Sequence, residues 1–61
     1  MPYVIEIRYR LADNGRLGTP SYYPTADYDI ATYPDRESAE QALPFARRHS
    51  AGAASIKVIP R

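Results

Sequence analysis

The chain has no cysteine. No disulfide can staple it, and no thiolate is there to hold a metal. It has one histidine, His49, and a lone imidazole does not build a zinc or iron site. An excess of one charge is missing too: eight Lys and Arg stand against seven Asp and Glu, a formal net charge of +1. A dedicated nucleic-acid binder of this size is usually strongly basic, and an acidic mimic of DNA strongly negative. No apolar run nears the roughly 20 residues of a membrane span. No signal-peptide pattern opens the chain, and nothing repeats internally. These absences set the first expectation: a cytoplasmic protein with no cofactor and no metal, for which neither a nucleic acid nor a membrane is the expected partner.

Sixty-one residues make one small domain, spanning 1–61. A chain this short hides only about 60% of the surface its unfolded form exposes. Its core must come from a few large residues, for which Ile5, Ile7, Leu11, Ile30, Leu43, Phe45, Ile56 and Val58 are the candidates. Small domains without staples often gain stability by pairing with copies of themselves, so the expectation is a marginal monomer or, in preference to it, a homodimer.

Residues 3–11 (YVIEIRYRL) alternate: Tyr3, Ile5, Ile7, Tyr9 and Leu11 fall on one face, Val4, Glu6, Arg8 and Arg10 on the other. Period two with β-branched and aromatic residues predicts a strand with one wet face. Asn14-Gly15 follows, a turn dipeptide whose members tolerate positive φ. Within residues 19–34 (TPSYYPTADYDIATYP), three prolines forbid a long central strand. A second strand over residues 28–32 is predicted, with Ile30 inward, and a shorter one over residues 21–23 is weighed beside it.

Asp35 is placed to cap a helix, and Glu37 and Glu40 suit its positive end. Ala39, Ala42, Leu43 and Ala46 recur at the spacing of a buried stripe. Arg47, Arg48 and His49 suit the negative end, and Gly52 is the expected terminator. Pro44 either kinks this helix or splits it in two. Residues 54–60 (ASIKVIP) read as a final strand with Ile56 and Val58 inward. The fold class that follows is α+β: a three-stranded, mostly antiparallel sheet (ββαβ), strand one central, with one helix packed on one face.

The other face would then display Val4, Glu6, Arg8, Arg10, Lys57, Ile59 and Arg61 as an open surface with cross-strand charge pairs. A basic face of this kind offers one alternative function, nucleic-acid binding, but its strand-one aromatics are in the wrong phase to stack bases. Asp27 and Asp29, without a third ligand, do not make a metal site. The richest feature is the 19–34 segment itself, with four of the six tyrosines and no lysine or arginine. Tyrosine gives a binding surface a large, stiff contact at low entropic cost. Tyr22, Tyr23, Tyr28 and Tyr33, flanked by Asp27 and Asp29, are therefore the predicted partner-binding residues, with Arg8 and Arg10 as a charged rim.

Two resemblances bear on function. The run PDRESAEQA at residues 34–42, followed by SIKVIP at 55–60, resembles the small accessory proteins of phages and other mobile elements. That resemblance implies a non-enzymatic protein that binds a host or defence component, as anti-CRISPR and related inhibitors do. In its length, its opening Met1-Pro2 and its final strand the chain is also similar to the tautomerase superfamily. That similarity implies an enzyme in which loss of Met1 makes Pro2 an N-terminal general base. Those enzymes place a helix directly after the first turn, where this chain has the proline- and tyrosine-rich segment.

Overall fold

The computed structural model describes residues 2–61. Met1, and with it the expectation about its removal, lies outside the described residues. The elements run β1 (Tyr3–Arg8), β2 (Ser21–Tyr22), α1 (Arg36–His49) and β3 (Ser55–Pro60). The sheet order is β2-β1-β3, with both neighbours antiparallel to β1. This is the α+β, ββαβ arrangement that the hydrophobic periods require, with the helix packed on one face of the sheet.

The alternation of β1 sorts its side chains. Ile5 and Ile7 face α1 and meet Ala46, with Ala42, Leu43, Ile56, Val58, Tyr23 and Tyr33 packed around them. Cross-strand partners on this face are Ile5 with Val58 and Ile7 with Ile56. Ala39 and Ala46, wholly buried, give the helix a flat, small-residue face that lies close on the sheet. Asp35 caps α1: its carboxylate accepts from the Ser38 N–H at 2.7 Å. That bond holds the Asp35 carboxyl below its ordinary value, because hydrogen bonds from Ser38 favour the charged form.

Pro44 does not split the helix, which runs unbroken from Arg36 to His49. Glu40, Pro44 and Arg47 all lie on the exposed side, so the carbonyl left without an N–H partner faces water. The helix ends at Ser50 rather than Gly52: Ser50 is the C-cap, is buried, and donates its N–H to Ala46 O at 2.9 Å. The Asn14-Gly15 turn forms as expected, with Gly15 at a φ of 70° and the Asn14 side chain accepting from the Arg16 N–H.

Other expectations fail. Leu11, Ile30 and Phe45 are exposed rather than core. Leu11 lies past the end of β1, and Phe45 sits off the Ala39–Ala46 stripe, where the Arg48 guanidinium covers its ring at 5.8 Å. Residues 28–32 do not form a strand; Ile30 makes only an isolated bridge to Pro24, and the regular second strand is the short Ser21–Tyr22 segment. The face away from the helix is not open along its length, because Val4 is 2% exposed and Glu6 is 6% exposed. Glu6 is enclosed with its charge paired: Arg8 Nε lies 3.1 Å and Lys57 Nζ 3.9 Å from its Oε1.

Candidate functional site

The tyrosine segment is an edge strand interrupted by an excursion. Ser21 and Tyr22 pair with Ile7 and Glu6, and the Tyr23 N–H donates to Ile5 O at 3.1 Å. The chain then leaves the sheet. It returns with the Ala31 N–H on Tyr23 O and resumes pairing with β1 where Tyr3 and Tyr33 exchange two hydrogen bonds of 2.8 and 2.9 Å.

The excursion is a small hairpin. Pro24 bridges Ile30, and Thr25 donates its N–H to Asp29 O at 2.7 Å. Tyr28 N–H returns to Thr25 O at 3.0 Å, and Thr25 Oγ1 accepts from the Asp27 N–H at 3.3 Å. This leaves a three-residue loop, Ala26 to Tyr28, whose last residue must turn left-handed. Tyr28 takes that position with a φ of 67°. Glycine or asparagine ordinarily fills it, since a Cβ there crowds the following carbonyl at roughly 1–2 kcal/mol. Tyr28 is also 90% exposed, and both Asp27 and Asp29 are exposed beside it.

The structure thus divides the predicted contact residues. Asp27, Tyr28 and Asp29 come together at the hairpin tip. Tyr23 and Tyr33 do not join them; they pack against the core under α1. The Tyr23 ring meets His49 edge-on at 5.5 Å, and burial pushes the Tyr33 hydroxyl up from its ordinary value, with Tyr23 adding to the shift. Tyr22, opposite Glu6, faces away from the helix. There it lines a shallow depression of about 170 Å³ with Val4, Ile30, Ile59, Pro60 and Arg61.

Arg8 and Arg10 are engaged within the chain. The Arg8 side chain donates to Glu6 and to Gly18 O, and the Arg10 guanidinium donates to Gly15 O. They brace the first hairpin rather than rim the tip. Pro2 is exposed, and its carbonyl accepts from the Arg61 N–H at 2.9 Å. Among the described residues no three His, Cys, Asp or Glu side chains gather as metal ligands, and no helix is long and apolar enough to cross a membrane.

Sequence reasoning placed Arg61 on the face with Val4 and Ile59, where antiparallel pairing lays 61, 59 and 57 beside 2, 4 and 6, and missed only the part of Pro60 in the depression. Compared with protein-family models, with curated proteins and with solved structures, the chain matches none.

Proposed function

We propose that this is a non-enzymatic binding protein and that the Asp27-Tyr28-Asp29 tip is its principal contact with a partner protein. One observation carries the reading: a tyrosine stands in the left-handed position of a tight loop, where glycine fits without strain, and its ring is left in water. Neither stability nor solubility explains that choice. A rigid aromatic side chain on a hydrogen-bonded loop is the form of an interface anchor, ordered before binding. The two flanking carboxylates select a partner cleft lined by cations or N–H donors around a slot for the ring.

Three side chains suited to catalysis are otherwise occupied, which supports this reading. His49 packs on Tyr23, Glu6 is paired with Arg8, and Asp35 caps the helix. Within the class of binding proteins, an inhibitor of a host or defence component is the finer reading. It rests on the resemblance of the C-terminal half to mobile-element accessory proteins.

The test compares the chain with its Tyr28→Ala variant in capture from extracts of its source cell. The variant should fold with an unchanged melting profile and lose the proteins that the unaltered chain retains. Equal capture by a folded Tyr28→Ala variant overturns the proposal. Turnover of a substrate that disappears on substitution of Pro2 overturns it as well.

A further inference from the structure

The outer edge of β3 is a second surface, separate from the hairpin tip. Hydrogen bonding fixes which way its backbone groups point. On β1, Ile5 accepts from Tyr23 and Tyr3 exchanges bonds with Tyr33, so odd-numbered residues face β2. Val4, Glu6 and Arg8 therefore face β3, and their partners Ile59, Lys57 and Ser55 point back at them. The Arg61 N–H on Pro2 O continues the same parity. By alternation, Ile56 and Val58 turn their N–H and C=O groups outward, and Pro60 turns out only a carbonyl. Among the described residues, nothing pairs with the Ile56 and Val58 groups on that side. The opposite edge of the sheet is different, since β2 has two residues with Pro20 before it and Pro24 just beyond it.

A second copy of the chain is a poor occupant of this edge. Antiparallel self-pairing that uses all the outward groups of Ile56 and Val58 has its two-fold axis at Lys57. It sets the two Lys57 side chains directly opposite each other, where like charges destabilise. Moving the axis to Val58 or Ile59 brings Pro60 into the ladder without an N–H. Moving it to Ile56 or Ser55 calls on the Ala54 N–H, which is already given to Arg8 O at 2.9 Å. Lys57 thus disfavours the one antiparallel self-register in which every outward Ile56 and Val58 group is bonded.

A carboxylate opposite Lys57 reverses the sign of that contact. The Lys57 side chain is 60% exposed and only loosely paired with Glu6 at 3.9 Å, so its ammonium has donors to offer outward. Two residues along, on the same face, Ile59 is half-buried on the wall of the depression. We infer that the β3 edge receives an extended segment of a partner protein as an added antiparallel strand. That segment carries an acidic residue opposite Lys57 and an apolar residue two positions earlier, opposite Ile59. Backbone bonds to Ile56 and Val58 supply the attachment; the acidic and apolar pair sets the register.

The probe is the peptide acetyl-Ile-Thr-Glu-Thr-Ser-amide, titrated into the isotope-labelled chain and followed by NMR. The Ile56 and Val58 amide signals should shift and their hydrogen exchange should slow, while Tyr28 stays unmoved. The same peptide with Lys for Glu should bind about tenfold more weakly, the span between an attractive and a repulsive cross-strand pair. In the Lys57→Glu variant the preference should invert. Equal binding of the two peptides to the unaltered chain overturns the inference, whether or not that variant folds. So does concentration-dependent protection of Ile56 and Val58 with no peptide present, which would place a second copy on the edge.

Discussion

Tyr23 and Tyr33 stand on either side of the excursion and Tyr28 at its tip, and the three have opposite surroundings. The first two lay their rings against the Ile5 and Ile7 core beneath α1. Tyr28 is in water, on a strained backbone. A run of tyrosines is therefore not one surface. Position relative to the ladder decides whether a ring is structural or presented: residues that pair with β1 have a face to bury, and a residue in the loop between them has none.

The comparison can be broken by substitution. Tyr33→Ala has the largest expected effect, a loss of about 2 kcal/mol in denaturant unfolding, because it removes a ring packed on a small core. Tyr23→Ala should fall near it. Tyr28→Gly should do the reverse and raise stability by up to about 1 kcal/mol, by relieving the left-handed strain. A loss of stability in Tyr28→Gly would mean that the tip ring has a structural partner and is not simply presented.

Titration sharpens the same contrast. The folded Tyr33 hydroxyl titrates above its ordinary value of 10.0, for burial first and Tyr23 second. The neutral form is favoured by folding, so this contribution is complete below the unfolded value and is lost as pH rises through the folded one. Thermal stability above pH 10 should fall less in Tyr33→Phe than in the unaltered chain.

Asp35 has the smallest effect and the opposite sign. Its folded carboxyl is depressed by the Ser38 hydrogen bonds. Its contribution is present above the unfolded carboxylate value and fades as pH falls through the folded one. Asp35→Ala should lower the melting temperature modestly near neutral pH, and the gap from the unaltered chain should close in acid.

Much of the scaffold was legible along the chain. Alternation in YVIEIR marked β1, Asn14-Gly15 marked the reversal, Asp35 marked the helix start and SIKVIP marked β3. The expected strand over residues 28–32 was not there, because three-residue loop geometry took Tyr28 out of extended conformation. Leu11 and Phe45 look like core in a composition list, but one lies beyond the end of β1 and the other on the wrong side of the helix. The face away from the helix was read as open for a related reason. Periodicity separates two faces of a strand and does not say what the rest of the chain lays over each. The candidate contact was half legible: the tyrosine-rich segment stood out, and its division into core rings and an exposed tip did not.

Local chemistry alone settled β1, α1 and β3 and their order, because side-chain period and capping act within a few residues of themselves. Three-dimensional packing decided the rest: which tyrosine is presented, that Glu6 is enclosed with its charge paired, and that among the described residues nothing pairs with the edge of β3 beside Lys57. Those outcomes depend on pairing between residues far apart in the chain, and burial is a property of the partner as much as of the residue.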